Sequence, residues 1–374
     1  MPALRSLWLR CHRWLALGMG GILIVSGLTG SLLVMARPLD KWLHPQLFVA
    51  AFPVSDAQVP LESLRLRLAE EFGPGAPLTF RPPRQPGETL QVLVRGPWRG
   101  TVYLDPASGM EQGRRGDNQG FAALLYGLHS SLWMQQLGKA VLTWAALAYL
   151  LLAVSGLVLW WPRRWPPSLR VELRKGLLRA LFDMHRSGGA LLALALALCI
   201  GSGAYLAWRP IGQWMTWLSG ARPTAIPAAP AGRGPMLPLD ELVRTAQATF
   251  PTGRVGYVLY KPQAGQALAV RMRLPGDPHP NGRSTVWLDP RSGAVLAAHR
   301  WNELDPGTRV NSIIYPLHTG ELGGVPWQAG VALLGLALAG LGVSGIWLWW
   351  RRRAARHAAG RPRGRPPGAI SSTK

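Results

Sequence analysis

Residues 140–161 read AVLTWAALAYLLLAVSGLVLWW, without a single charged side chain. A bilayer core about 30 Å thick is crossed by about 20 apolar residues wound as a helix. In hydrocarbon such a helix satisfies its own backbone amides, which an isolated strand or loop cannot do. Three other stretches are equally free of charge: Trp14–Ala36, Gly188–Trp208 and Val325–Trp350. Four such helices buried in a soluble chain of 374 residues would leave too little polar surface. The reading is a membrane protein with four transmembrane α-helices.

The formal charge of +23 would suit a nucleic-acid binder, but its placement gives a different account. Arg5, Arg10 and Arg13 precede the first span. Arg163, Arg164, Arg170, Arg174, Lys175, Arg179 and Arg186 lie between the second and third, with only Glu172 and Asp183 among them. Arg351, Arg352, Arg353, Arg356, Arg361, Arg363, Arg365 and Lys374 follow the fourth. With four crossings all three segments fall on one side, as the positive-inside asymmetry requires, so both termini are expected in the cytoplasm. Topology accounts for the charge, and no nucleic-acid partner is expected. The first apolar run is longer than the ~7–15 residues of a secretory signal core, so it reads as an uncleaved anchor. Cys11 and Cys199 show no metal-type spacing.

Two polar stretches outside the cytoplasm separate spans one and two, and spans three and four. Each reads as a small α+β unit. In the first, Leu61–Phe72 has helical spacing, followed by strands at Leu90–Val94 and Thr101–Leu104. In the second, Leu239–Phe250 is the helix and Val255–Tyr260, Ala267–Met272 and Ser284–Leu288 are strands. Leu104-Asp105-Pro106-Ala107-Ser108-Gly109 recurs as Leu288-Asp289-Pro290-Arg291-Ser292-Gly293, a tight-turn sequence. Ser219–Pro238 reads as a connector.

The recurrence extends into the membrane. Tyr126-Gly127-Leu128-His129 matches Tyr315-Pro316-Leu317-His318. Ser155-Gly156 matches Ser344-Gly345, and Trp160-Trp161 matches Trp349-Trp350, all offset by 189 positions. His12-Arg13 and His185-Arg186 likewise precede spans one and three. Because each half crosses twice, the copies share an orientation, which makes a parallel tandem repeat. The expected boundaries are spans at 1–37, 121–162, 185–209 and 313–353. The outer domains occupy 38–120 and 210–312, with a cytoplasmic loop at 163–184 and a basic tail at 354–374.

Eight histidines divide into two sets. His44, His279, His299 and His357 lie in polar segments without repeat partners and read as solvated surface. His12, His129, His185 and His318 form two repeat-related pairs at or near the spans. Ionisable side chains beside hydrocarbon are costly, so a duplicated set points to function. His12 and His185 enter from the cytoplasmic side, His129 and His318 from the outer side. Each level then has two imidazoles on different helices, which suits the iron of a bis-imidazole haem. No Cys, Asp or Glu accompanies either pair at the spacing a closed zinc site needs. Two haems, of b type, are the expected cofactors.

Gly18, Gly20, Gly21, Gly27, Gly30, Gly188, Gly189, Gly201 and Gly203 would let a flat macrocycle approach the backbone, and equally suit plain helix packing. Arg13 and Arg186 are candidates to pair with haem propionates or to anchor topology. Tyr126 and Tyr315, three residues before the outer histidines, are candidates to support them or to mark the interface. Trp144 is a candidate aromatic between the two levels. His129 to Trp161 would span about 48 Å as one helix, more than the bilayer core. The helix therefore either projects outward or bends near Gly138 and, in the copy, near Gly323-Gly324-Val325-Pro326.

With these residues in view, the chain resembles the PepSY-associated transmembrane family, whose members include inner-membrane ferric-siderophore reductases of Gram-negative bacteria. The resemblance rests on His12-Arg13-Trp14-Leu15 with Ser26-Gly27-Leu28-Thr29-Gly30, on Leu128-His129 through Trp160, on His185-Arg186, and on Leu317-His318 through Trp349. It implies PepSY-like outer domains, haem at the four matched histidines, and electron delivery to a ferric siderophore outside the inner membrane. His185 is followed by Ser-Gly-Gly-Ala where His12 has Trp-Leu-Ala-Leu, a departure that falls on that ligand. No nucleotide-binding glycine fingerprint is visible, so the electron donor is expected to be a separate protein, quinol or flavin. Two rival readings stand beside this oxidoreductase: a non-enzymatic iron-chelate permease, and an accessory or regulatory membrane protein.

Overall fold

The computed structural model describes residues 2–52, 58–162, 165–166, 169–230, 234–263 and 265–359. Arg163, Arg164, part of the Ser219–Pro238 connector and the tail beyond Ala359 lie outside the described residues.

The first half comprises α1 (Pro2–Leu43), the one-turn α2 (Pro45–Phe48), α3 (Leu61–Phe72), β1 (Leu78–Arg81), β2 (Leu90–Arg95), β3 (Arg99–Leu104), β4 (Glu111–Gly116), α4 (Phe121–Ser131) and α5 (Gln135–Trp160). The second comprises α6 (Leu177–Ala207), α7 (Pro210–Leu218), α8 (Leu239–Thr249), β5 (Arg254–Tyr260), β6 (Leu268–Arg273), β7 (Ser284–Leu288), β8 (Val295–His299), α9 (Pro306–Thr319) and α10 (Gly324–Ala359). Four helices are long and apolar enough to cross a membrane: α1, α5, α6 and α10. This is a multi-pass membrane protein, mostly helical, with one antiparallel sheet.

The four long helices pack as a ring in which α1 touches α10 and α5, and α6 touches α5 and α10. Helix α1 therefore lies diagonally across from α6. Leu23, Ala145, Tyr149, Leu152, Leu196 and Leu338 fill the middle of the ring. Glycine brings α1 and α10 unusually close, since a Cβ on Gly27 would sit 2.5 Å from the Gly335 carbonyl oxygen.

The two polar segments do not fold as separate sheets. Their eight strands form a single sheet in the order β4-β3-β2-β1-β5-β6-β7-β8. The halves join where β1 pairs antiparallel with β5, with Leu78 opposite Tyr260 and Phe80 opposite Val258. One face alternates Leu78, Phe80, Val92, Val94, Val102, Val258, Val270, Met272 and Val286, all fully buried beneath α3 and α8. Both of these helices start after a proline, Pro60 and Pro238, which offers no capping side chain. They cap each other instead. The Asp240 carboxylate accepts from the Leu61 and Glu62 amides at 2.8 and 3.0 Å, and Glu62 accepts from the Leu239 amide at 3.1 Å.

The opposite face carries Arg81, Tyr103, Tyr257 and Arg271 and lies over one end of the bundle. Helix α1 runs past the hydrocarbon length to reach it, and Arg115 on β4 grips Asp40 on α1 at 2.6 and 2.8 Å. The chain entering the second span does bend, at Leu132–Met134 rather than at Gly138. Leu132 and Trp133 hold positive φ of 48° and 59° there. Gly138 packs against that break, its Cβ position lying on the Ser131 carbonyl. In the second half the break runs from Gly320 to Gly324, with φ of 84° and 64° at those glycines, and so includes the expected Gly323-Gly324 step. His129 and His318 consequently ride on the short α4 and α9, which lean on α1 and α6, and not on the spanning helices α5 and α10.

Candidate functional site

The fold brings the four histidines together in two pairs. His12 on α1 and His185 on α6 meet across the ring diagonal, ring centres 6.4 Å apart and planes nearly perpendicular at 88°. His129 on α4 and His318 on α9 meet at the sheet end, ring centres 6.0 Å apart with planes at 32°. Each imidazole has the same setting. His129 Nδ1 lies 3.1 Å from both Thr29 Oγ1 and the Ser26 carbonyl oxygen. His318 Nδ1 lies 3.0 Å from both Ser202 Oγ and the Cys199 carbonyl oxygen. His185 Nδ1 lies 3.2 Å from Ser344 Oγ and 3.1 Å from the Leu341 carbonyl oxygen. His12 Nδ1 lies 2.8 Å from Ser155 Oγ, with the Leu152 carbonyl as its backbone partner.

These contacts fix where the proton sits. A carbonyl oxygen only accepts, so Nδ1 must donate. The hydroxyls agree, because Ser155, Ser202 and Ser344 each donate to the carbonyl three residues before, and Thr29 donates to the Val25 carbonyl. Their oxygens are left to accept from the imidazoles. With Nδ1–H engaged, Nε2 keeps a free lone pair, the state in which imidazole ligates a metal.

A glycine follows each hydroxyl residue, and the imidazole lies against it. A Cβ on Gly30 would stand 2.9 Å from His129 Cε1, and one on Gly203 2.9 Å from His318 Cε1. The figures are 3.1 Å for Gly345 on His185 and 3.5 Å for Gly156 on His12. Thr29-Gly30, Ser155-Gly156, Ser202-Gly203 and Ser344-Gly345 are therefore four copies of one device, a proton acceptor beside a seat for the ring. The sequence signal was available: His12 to His185 and Thr29 to Ser202 are both offset by 173 positions, as the other pairs are by 189. Of the remaining glycines, Gly27 serves helix packing, while Gly18, Gly21, Gly188 and Gly201 face open space.

A metal–imidazole bond is about 2 Å and the ring centre lies about 1 Å behind its nitrogen, so imidazoles gripping one iron from opposite sides have centres about 6 Å apart. Both pairs fit that spacing. Among the described residues no three His, Cys, Asp or Glu side chains gather as a metal cage. Two imidazoles alone suit a metal that brings its other ligands with it, as a porphyrin iron does.

Several expected neighbours behave differently. Tyr126 is largely exposed, and so is Trp144, which points out of the bundle rather than between the two levels. Tyr315 is drawn inward and stacks on His279 with ring centres 4.8 Å apart. That overturns the surface reading of His279, which is 6% exposed. Its loop, Asp277–Arg283, folds under the sheet because the Asp277 carboxylate accepts from the His279 and Arg283 amides at 3.0 and 2.7 Å. Burial, and then the guanidinium groups around it, push the His279 imidazole down to about 3, so it stays neutral. Arg186 lies beside the buried Asp183, whose carboxylate accepts from Arg179 at 2.8 Å.

The profile of the family described as the PepSY-associated TM region matches residues 9–352. The chain is a PepSY-associated transmembrane protein. A search among curated proteins returned no match. The family match takes in all four histidines and every hydroxyl–glycine pair of this PepSY-associated protein, along with the whole of its sheet.

Proposed function

We propose that this PepSY-associated protein carries electrons through an inner membrane on two b-type haems and delivers them to a periplasmic ferric siderophore. The single observation that carries the reading is the duplicate pairing of imidazoles at 6.0 and 6.4 Å, each with Nδ1–H tied to a carbonyl and a hydroxyl. His12 and His185 would hold one haem, His129 and His318 the other. A bound haem supplies a one-electron carrier. The chain supplies the rest: it orients each imidazole, fixes its tautomer, and sets the two sites at different depths of one bundle. We further read the two halves as a parallel repeat with PepSY-like outer domains, and place both termini in the cytoplasm by the positive-inside asymmetry.

The net change outside is one electron gained by a chelated Fe(III), giving Fe(II), with the electron supplied by an external quinol, flavin or protein donor. Fe(II) is softer and of lower charge, so a hard oxygen-donor chelate holds it less tightly and the iron is released. No proton-transfer residue is required. The test is transport of reducing power. Vesicles holding the protein and a trapped reductant should generate Fe(II) from an external ferric hydroxamate chelate. Empty vesicles, and vesicles with His318→Ala, should not. Equal rates in all three would refute the reading.

A further inference from the structure

Beneath the sheet, next to α9, the structure gathers more buried positive charge than it neutralises. Arg271 and the exposed Arg273 come from β6, and the more enclosed Arg283 and Arg84 from the β6–β7 and β1–β2 loops. All four act electrostatically on His279, which stacks on Tyr315 one turn before His318. The Arg271 guanidinium lies over the Tyr257 ring at 5.3 Å. Arg84 Nε donates to Asn281 Oδ1 at 2.8 Å, and Asn281 Nδ2 donates to the Tyr257 hydroxyl at 2.9 Å. Against these cations stand Asp277, already occupied by the backbone amides of His279, Arg283 and Ser284, and Glu321, 3.7 Å from Arg84. His279 is neutral and adds nothing. Arg283 Nε is buried with no hydrogen-bond partner among the described residues.

A buried cation lacking a full complement of partners is costly, and an anion of matching shape relieves that cost. Guanidinium groups present planar forks that fit a carboxylate better than a point-like anion. We propose that Arg84, Arg271 and Arg283 form a carboxylate-binding site between the sheet and α9, beside the His129 and His318 pair. Burial first, and then neighbouring guanidinium groups (Arg81 and Arg37 at Arg84, Arg283 at Arg271), push the Arg84 and Arg271 guanidinium groups down to about 10. Arg84 also lines a cleft of about 350 Å³ with Phe52, Pro82, Pro83 and Pro106. The location rests on the functional reading above, and two carboxylate sources are chemically equivalent there. One is a propionate of the haem held by His129 and His318; the other is a carboxylate-type ferric chelate.

The experiment uses the full-length protein and its Arg271→Gln/Arg283→Gln variant. Haem content, the midpoint potential of each haem, and calorimetric binding of ferric citrate and of a cationic ferric tris-hydroxamate are recorded. A chelate site predicts about tenfold or greater weakening of ferric citrate, with hydroxamate binding, haem content and potentials unchanged. A propionate site predicts loss of one haem or a shift in one midpoint, with both chelates unaffected. If the preparations carry no haem, weakened citrate binding still supports the anion site while the haem reading falls. Wild-type haem content, potentials and citrate affinity in the variant would overturn the proposal, as would unchanged citrate binding in haem-free preparations. Should the double variant fail to fold, Arg283→Gln alone carries the same comparison, since it removes a guanidinium whose Nε has no hydrogen-bond partner among the described residues.

Discussion

Thr29 and Ser202 do for His129 and His318 what Ser155 and Ser344 do for His12 and His185: each accepts the Nδ1 proton, and the glycine after it leaves room for the ring. That division of labour makes graded predictions at single residues. Alanine is favoured over glycine in a helix by about 1 kcal/mol, so helix propensity alone would make Gly30→Ala and Gly203→Ala stabilising. The new Cβ, however, would stand 2.9 Å from an imidazole carbon, closer than side chains pack. Moving the ring should cost about 1–3 kcal/mol and, on the proposed reading, lower haem binding at the His129–His318 pair. Gly156→Ala, at 3.5 Å, meets ordinary contact and, on the same reading, should leave haem binding at the His12–His185 pair unchanged. Absorbance per mole of purified protein reads the difference, and equal loss in all three variants would contradict the assignment. The histidines themselves were legible in the sequence because polar side chains beside hydrocarbon stand out and were duplicated. Of their supports, Gly30 and Gly203 stand out as small residues and Ser155-Gly156 and Ser344-Gly345 as a repeat, but the role of each hydroxyl and glycine toward an imidazole shows only when a ring is seen against them.

Among the elements, α3 and α8 are the clearest case of mutual dependence. Neither proline-led helix can cap itself, and the Asp240 and Glu62 carboxylates each satisfy amides at the other's start. Removing Asp240 strips two amides of their acceptor at a helix end whose partial positive charge favours an anion. Asp240→Ala should therefore lower stability by about 1–2 kcal/mol, seen as a lower midpoint in thermal or denaturant unfolding of the detergent-solubilised protein. An unchanged midpoint would show that the cross-capping is incidental. The helices and the inner strands of this layer were legible from their apolar periods. Strands β1, β4 and β8 were not. Leu78-Thr79-Phe80-Arg81 is too short to show alternation. Glu111–Gly116 is an edge strand carrying Glu111, Arg114 and Arg115, the kind of charge that keeps edges from pairing further and hides them from hydropathy.

For the whole molecule, the decisive surprise is that two soluble segments joined by β1 and β5 make a single roof over the helix bundle. Hydropathy counts spans well because the bilayer imposes a length, but nothing in strand periodicity says which edge meets which. The consequence is functional. A continuous sheet pins α1 through Arg115 and Asp40, and brings the His279 loop onto α9 through Tyr315, so the sheet and the His129–His318 pair form one unit. His279 escaped the sequence reading because Asp277-Pro278-His279-Pro280-Asn281-Gly282 has the composition of an exposed turn, and only the tertiary fold buries it.

The central claim, that imidazole pairs at two depths hold two haems, is tested most directly by reduced-minus-oxidised absorbance spectra of wild type and the four single His→Ala variants. The account predicts bis-imidazole haem signals of two kinds in the wild type. His12→Ala and His185→Ala should lose one kind, and His129→Ala and His318→Ala the other. A colourless wild-type protein, or a spectrum indifferent to all four substitutions, would contradict it.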